Sequence, residues 1–430
     1  MKIRYIALIC TLIISAGLYY LIADDDLNPE IIAIQQQYAK PINLDNNVYI
    51  EMMSWQYLES DNPYQLAVDA YQQKIAELSS SSIRDISPIK YPIVEYHGFA
   101  EQPYDCSLSD ENCIAELINN REKFESIITD NRKLLDKFYN LRNFHNFEPP
   151  NPLIVTARFD LTAIYKIAAL DLLFKIADGK YESAEKLIAE LILFDKRLMS
   201  STDELLFKII PIMNIDSVYP PLVDYLISMG FTDWSYLPEA LSPLSFEELS
   251  LNKAWRFHIY RDSQWLKFEE IANRAEELKP SISHLWPSLI YKEHITLNKL
   301  AEFHFLQLLP NNFPKSQLME QRKVIEKLSS DIYDSMNFYI ECELCGMLLN
   351  INNIAGYLME LTAVPRYVDL YEDLIKVDLK LQLLRLKLST SKSVVEASLS
   401  DNQWRDPYLN SLPFIKDGKV CYKVEDDVCI

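Results

Sequence analysis

Paired cysteines are the residues of this sequence with the clearest chemistry. Leaving out Cys10, six cysteines form three close pairs along the chain, which are Cys106 with Cys113, Cys342 with Cys345, and Cys421 with Cys429. An even number of cysteines is typical of disulfide bonds in a protein exported to an oxidising compartment. Each short loop would stabilise the fold by roughly 2.5 kcal/mol through the entropy of the unfolded chain. We therefore predict three local disulfides.

The C-x-x-C spacing of Cys342 and Cys345 also fits a redox site or half of a zinc site. A redox motif normally opens a helix that follows a strand, whereas these residues lie inside a helical pattern beside acids that would raise a thiol pKa. A zinc site needs two further ligands, and neither a second C-x-x-C nor a suitably spaced histidine pair lies nearby. A structural disulfide is the favoured interpretation, with redox and metal sites as alternatives.

Histidines and carboxylates could build a metal or acid–base site, but their spacing does not predict one. The sequence lacks an H-E-x-x-H motif, and its six histidines are His97, His145, His258, His284, His294 and His304. Glu293 and His304 could share a helix face, yet a rise of about 16 Å separates them, which is too far for one metal ion. Adjacent acids such as Glu247 and Glu248 diverge by about 100° on a helix and are typical of solvated faces. We predict no catalytic, cofactor-binding or metal-binding residues.

Aromatic residues are in excess, with 26 tyrosines and 18 phenylalanines. At helical spacing most of them should pack in the core, with tyrosine hydroxyls finding partners at its edge. Because tyrosine is also common at protein interfaces, some of them could form a binding surface. One cluster that is a candidate for either role comprises Trp255, Phe257, Tyr260, Trp265 and Phe268.

The elements that must position these residues are mainly helices. Apolar residues recur at three- and four-residue steps, and no long stretch alternates apolar and polar residues before residue 400. The fold class is therefore mainly α, an irregular array of antiparallel helical hairpins. The predicted helices lie at about 63–78, 114–138, 155–177, 181–199, 203–217, 219–229, 246–262, 264–278, 285–309, 316–350 and 366–389.

Local signals indicate where several helices begin and end. The Asp-Asn-Pro sequence at 61–63 is typical of a helix start, and Asp110 can cap the helix that follows it. Ser245 with Glu248 predicts a capping box. The short joint at 178–179 should make its two helices antiparallel neighbours. The turn around this joint resembles that of a tetratricopeptide repeat, but a single unit predicts no repeat fold.

The amino terminus predicts a membrane anchor. Lys2 and Arg4 precede 19 uncharged residues, 5–23, whose helical rise of about 28 Å is close to the ~30 Å of a bilayer core. Acids follow at 24–26, and this charge order places the amino terminus in the cytoplasm and the rest of the chain in the periplasm, across the inner membrane. A cleaved signal peptide is the main alternative, although Leu21 fits poorly near a cut.

The last thirty residues change character and predict a small β-hairpin. Its strands would run over 420–424 and 428–430, turning at 425–427, with Cys421 opposite Cys429. The whole chain thus divides into a signal anchor at 1–23, a polar, partly extended tether at 24–48, a helical periplasmic body at 49–400 and a carboxy-terminal turn and disulfide-bonded hairpin at 401–430.

The sequence of the carboxy-terminal tail resembles that of known exported proteins. Asp-Pro-Tyr at 406–408 with Pro-Phe at 413–414 resembles the ending of many exported bacterial proteins, including pseudopilins. Pseudopilins carry a glutamate in their apolar helix, and residues 5–23 have none, so their function is not carried over. As a whole, the chain resembles membrane-anchored, exported, all-helical proteins of Gram-negative bacteria, which implies a topology and no activity.

Composition narrows the function further. The net charge of −20 argues against nucleic acid as a partner, because binding phosphates requires clustered cations. The anchor, the helical array and the tyrosines predict a non-enzymatic scaffold or chaperone-like assembly factor for another envelope protein, an architecture similar to that of membrane-anchored lipase chaperones. The alternatives are a hydrolase-like periplasmic enzyme whose site is assembled from distant helices, and a ligand-binding ectodomain.

Overall fold

In the computed structural model, the described residues are 24–80, 103–154, 161–267, 292–306, 314–324, 326–327, 330, 368–389, 401–424 and 427–430. They form a mainly helical protein with a small antiparallel sheet at its carboxy-terminal end, which confirms that the fold is mainly α. Within these residues, no helix has both the length and the hydropathy of a membrane span. The predicted anchor at 5–23 and the pair Cys342 and Cys345 lie outside them.

The helices before residue 202 are α1 Pro29–Tyr38, α2 Val48–Ser54, α3 Pro63–Ser80, α4 Glu111–Asn119, α5 Arg121–Asp130, α6 Arg132–Asn140, α7 Leu161–Ala177 and α8 Tyr181–Ser201. Those after it are α9 Leu206–Ser217, α10 Tyr219–Ser228, α11 Leu237–Ala240, α12 Phe246–Leu249, α13 Asn252–Trp265, α14 Glu293–Leu306 and α15 Val368–Ser389, and residues 315–324 are also helical. The strands are β1 Phe414–Lys416, β2 Lys419–Lys423 and β3 Asp427–Cys429. The predicted helices at 264–278, 285–309 and 316–350 run into residues outside the described ranges.

Helices α7 and α8 lie at the centre of the body. Of the 17 residues of α7, 13 are buried, because α4, α5, α6, α8, α9 and α10 all pack around it. A helix enclosed in this way needs apolar residues on all sides rather than along one stripe, and its Leu, Ile and Ala content provides them. Helix α8 packs on α7 and also contacts α9, α11 and α12. The pair α7 and α8 therefore connects the helices before residue 161 with those after residue 202.

The joint between α7 and α8 depends on Gly179. Its φ of +76° is in the left-handed region, and the NH groups of Gly179 and Lys180 donate to the carbonyls of Ile176 and Lys175. These two bonds form a Schellman cap, which ends α7 and turns the chain into α8 within three residues.

The predicted tether at 24–48 is wrong, because this segment is docked on the body. Helix α1 lies within it, and Ile31 and Ile34 are fully buried in a small core with Phe257 of α13 and Leu297 of α14. The signals were local and present in the sequence: Asn28 caps the helix, a proline stands at its first position, and two isoleucines follow at helical spacing.

The predicted single helix at 114–138 is also wrong, since the structure has three shorter helices there. Asn120 separates α4 from α5, and Asn131 separates α5 from α6. Each asparagine amide donates to the carbonyl four residues earlier, Glu116 or Ile127, and thereby competes with the next turn of the helix. The predicted helix at 246–262 is also interrupted, between α12 and α13, where Ser250 has an extended backbone and its hydroxyl accepts from the backbone NH of Asn252 at 3.3 Å.

The predicted caps are confirmed. The carboxylate of Asp110 accepts from the backbone NH of Asn112 at 2.9 Å, and α3 begins at Pro63. Ser245 and Glu248 form both bonds of a capping box at the start of α12.

The carboxy-terminal sheet has one strand more than predicted. Strand β1 pairs antiparallel with β2, which pairs with β3 in the expected register, with Cys421 opposite Cys429. The extra strand follows from the turn at Asp417 and Gly418, both with positive φ, which folds residues 414–416 back onto β2. Helix α15 packs against β2 and β3 and attaches this sheet to the helical body.

Candidate functional site

Two of the predicted disulfides are present. Cys106 bonds to Cys113 at the start of α4, and Cys421 bonds to Cys429 across the sheet, with Cα–Cα distances of 5.6 and 4.1 Å. The third pair, Cys342 and Cys345, stays a prediction because it lies outside the described residues.

The described histidines lie apart from one another. His145 is 3.2 Å from a guanidinium nitrogen of Arg197, and His258 is 3.4 Å from a carboxylate oxygen of Asp262. The Nδ1 atom of His294 is 2.7 Å from the carbonyl oxygen of Asp25. His97, His284 and the side chain of His304 lie outside the described part of the chain. Within that part, no group of three or more His, Cys, Asp or Glu side chains could hold a metal ion.

A cleft of about 890 Å³ lies between the end of α1, helix α3, the loop at 148–151 and helix α13. Its volume is within the range of small-molecule and peptide sites, roughly 300–1,000 Å³. The walls are aromatic and aliphatic, and include the two prolines at 149–150. The aromatic residues that line it are Tyr38, Tyr71, Phe257 and Tyr260.

Three of these rings pack together along one wall. Tyr38 stacks on Tyr260 with centroids 5.3 Å apart and meets Phe257 edge-on at 5.2 Å. The predicted aromatic cluster is therefore divided in the structure: Phe257 and Tyr260, each 5% exposed, line the cleft from the small core that they share with Ile31 and Ile34, whereas Trp255 is fully buried in the main core. Phe268 lies outside the described residues.

A tyrosine–carboxylate pair forms the polar part of the cleft. Burial raises the pKa of Asp203, and the neighbouring Tyr38 hydroxyl opposes this shift by stabilising the carboxylate. Burial and the charge of Asp203 both raise the pKa of Tyr38, so this hydroxyl stays protonated and acts as a donor. Lys253 and Lys208 are close enough to favour the charged form of Asp203.

The loop at 148–151, which lines the cleft, is held by hydrogen bonds to the backbone and side chains around it. Glu148 accepts a hydrogen bond from the backbone NH of Asn43 at 2.6 Å, and its carbonyl accepts from the Asn47 amide at 3.0 Å. The hydroxyl of Tyr71 accepts from the backbone NH of Asn151 at 3.2 Å. Together these bonds hold the loop at 148–151, with its two prolines, as a rigid wall of the cleft.

The described lining of the cleft offers groups that suit binding. None of the lining residues that the structure describes is His, Cys, Ser or Thr. Aromatic faces, prolines and aliphatic side chains instead offer stacking and apolar contact, with Asp203, Glu148 and Lys40 as charged groups.

A second cleft of about 780 Å³ lies between α4, α10 and the carboxy-terminal sheet. Ile118, Pro221 and Ile430 line it, and Tyr225 is the one aromatic residue among the lining residues that the structure describes. The ion pair between Lys380 and Asp216, at 2.6 Å, lies at its edge. With one aromatic residue among its described lining residues, against four in the first cleft, this cleft is the weaker candidate.

The core contains buried carboxylates that the sequence did not single out. Asp195 is fully buried in α8, where Tyr219 donates to it at 2.5 Å and Tyr165 also donates. Asp378 of α15 accepts from Tyr408 and Lys315, both at 2.7 Å, and from the backbone NH of Leu244. Their partners lie 24–134 residues away along the chain, on other helices and in loops and at no regular spacing, so no sequence signal could have identified them.

No protein-family model, curated protein or solved structure matches this chain.

Proposed function

We propose that this protein is a non-enzymatic assembly or chaperone-like factor of the cell envelope that binds an extended segment of another polypeptide in the cleft between α3 and α13. The observation that supports it is the cleft itself, whose lining combines three packed aromatic rings with the two prolines at 149–150. Aromatic grooves of this kind suit extended chains, because rings pack on prolines and aliphatic side chains while polar groups pair with the backbone.

The charge of the protein favours a neutral or basic segment. The chain carries a net charge of −20, and the cleft has two carboxylates, Asp203 and Glu148, against one cation, Lys40. An acidic segment would be repelled on approach and within the cleft, whereas a segment with a lysine or arginine would be attracted.

We further propose that a single transmembrane helix at 5–23 holds the protein in the inner membrane, with its amino terminus in the cytoplasm. The rest of the chain would be an array of antiparallel helical hairpins in the periplasm. Two disulfides within the described residues suit that oxidising space.

The test uses two matched substitutions on α3. Ile75 lines the cleft and is 37% exposed, and Leu66 lies on the same helix, 41% exposed, outside the cleft. The probe is a permanently unfolded, reduced and carboxymethylated model protein, titrated by fluorescence anisotropy. We expect Ile75→Lys to weaken binding about tenfold, or about 1.4 kcal/mol, and Leu66→Lys to change it less than about twofold.

Equal effects of the two substitutions, or the absence of binding to the unaltered protein, would contradict the proposal. Circular dichroism and thermal unfolding of both variants ensure that the comparison is made between folded proteins. Hydrolysis of the probe by the unaltered protein would favour the enzymatic alternative.

A further inference from the structure

The acidic segment that follows the apolar run is fixed to helix α14. The carboxylate of Asp24 accepts from the backbone NH groups of His294 and Ile295, at 2.9 and 3.1 Å. These are NH groups of the first turn of α14, which have no partner within the helix, so Asp24 acts as its cap across 270 residues of sequence. A negative charge at this position also interacts favourably with the helix dipole.

The residues after Asp24 continue this attachment. The carbonyl oxygen of Asp26 accepts from the side-chain amide of Asn298 at 2.9 Å, and the oxygen of the same amide accepts from the backbone NH of Asn28 at 2.8 Å. Helix α1 then packs on α13 and, through Ile31 and Ile34, joins the small core that includes Leu297. Residues 24–38 are therefore part of the folded body.

This attachment determines where the body sits if residues 5–23 span the bilayer. Ala23, the last residue of the apolar run, is bonded directly to Asp24, and successive Cα atoms are only about 3.8 Å apart. The chain therefore leaves the bilayer at the amino end of α14. We infer that residues 24–28 and the first turns of α14 form a membrane-contact face, whose partner is the phospholipid headgroup layer around the anchor. This inference rests on the proposed anchor.

The acidic charge of the membrane-contact face indicates that the anchor, and not attraction to charged lipids, keeps this face at the membrane surface. Its exposed side chains include those of Asp24, Asp25 and Asp26, and Lys299 is an exposed cation on α14. An acidic surface gains nothing from anionic headgroups. The part of the chain after residue 23 should consequently not bind vesicles when it is separated from the anchor.

The membrane-contact face also determines how far the cleft lies from the bilayer surface. Helix α1 begins five residues after Asp24, and its ten residues rise about 15 Å to Tyr38, which lines the cleft. With the short extended stretch before it, the cleft lies within about 30 Å of the bilayer. A partner segment bound there would be one that emerges from the same membrane within about ten residues.

The experiment places a photo-crosslinking amino acid in the full chain, reconstituted in vesicles of phosphatidylcholine with phosphatidylglycerol that carries a clickable tag. One position replaces Lys299 on α14, and the control replaces Met213, which is 49% exposed on α9, a helix that does not pack on α14. We expect at least fivefold more lipid adduct at position 299 than at 213. Equal yields from a chain that floats with the vesicles would overturn the inference.

Two further variants test the attachment. Asp24→Ala combined with His294→Ala and Asn298→Ala removes the hydrogen bonds that residues 24–28 make with α14, and should lower the adduct yield at 299 to that at 213. Asp25→Ala removes the same kind of charge from a side chain with no hydrogen bond within the described residues, and should leave the yield unchanged. If both variants lower the yield equally, charge rather than attachment is responsible, and the inference fails.

Flotation separates this inference from the proposals on which it depends. A chain that does not float with the vesicles would refute the anchor and with it the membrane-contact face. Loss of peptide binding in the cleft would instead refute the proposed function and leave the adduct pattern unchanged.

Discussion

The hydroxyl of Tyr219 donates to the carboxylate of Asp195 at 2.5 Å, and both side chains are buried at the junction of α8 and α10. Tyr165 of α7 donates to the other carboxylate oxygen, and the Asn214 amide of α9 lies 3.4 Å from the first. One carboxylate therefore connects four helices. Because burial outweighs these hydrogen bonds, the pKa of Asp195 is raised to about 7.

The first prediction concerns pH. Since the pKa of Asp195 is about 7 in the folded state against 3.8 for an ordinary aspartate, the folded protein binds more protons than the unfolded chain between these values. The contribution of this group to stability is thus greatest below about pH 4 and decreases as the pH rises through 7, by about 4 kcal/mol if no other group responds. Asp195→Asn should abolish this component.

Urea unfolding at pH 5 and pH 7.5 measures the contribution of Asp195 to the pH dependence of stability. The difference in unfolding free energy between the two pH values should be smaller in Asp195→Asn than in the unaltered protein, whereas the exposed control Asp233→Asn should leave the difference unchanged. The same pH dependence in all three proteins would show that Asp195 does not carry this component.

The second prediction concerns Glu185 of α8, which is fully buried. One of its carboxylate oxygens accepts from the backbone NH groups of Tyr236 and Leu237, at 2.6 and 2.8 Å, where helix α11 begins. Glu185→Ala leaves two buried donors without a partner and should destabilise the protein by about 2–4 kcal/mol. Glu185→Gln keeps one acceptor oxygen and should cost less than half of that. Thermal unfolding compares these variants with Glu182→Ala, on the exposed face of the same helix.

The third prediction concerns the carboxy-terminal disulfide. The bond between Cys421 and Cys429 closes a short loop within the sheet, and Tyr422 beside it donates from its hydroxyl to the carbonyl of Trp404 at 2.5 Å. Replacing both cysteines with serine should destabilise the sheet by about 2.5 kcal/mol. Hydrogen exchange should then increase in β2 and β3 while α7 keeps its protection. A uniform increase along the chain would mean that the sheet and the body unfold together.

The fourth prediction concerns charge recognition in the cleft. Asp203 is half-buried beside Tyr38, so its carboxylate should favour a peptide with a lysine over the same peptide with norleucine. We expect Asp203→Asn to reduce this preference by about fivefold, or about 1 kcal/mol, without weakening the norleucine peptide. Calorimetric titration of both peptides checks this, and a preference that survives in Asp203→Asn would assign recognition to another group.

The sequence by itself determined what depends on neighbours along the chain. The helical class, the cap at Asp110, the capping box at Ser245 and the disulfides of Cys106 with Cys113 and Cys421 with Cys429 all join residues within ten positions of one another. Local geometry is enough to form them, because a helix turn or a hairpin brings such residues together whatever the rest of the fold does. The break at Asn131 is local too, and the asparagine that marks it was visible in the sequence.

Only the tertiary structure decided which distant side chains meet. Asp24 caps a helix by accepting from the backbone NH of a residue 270 positions later. Asp195 accepts from donors on three other helices, and Tyr38 lies near Asp203 with α1 docked on α13. No periodicity encodes such pairs, since they depend on how helices cross and on which faces are buried. The same burial that brings these groups together removes them from water, and this desolvation is what shifts the pKa values of Asp195 and Asp203.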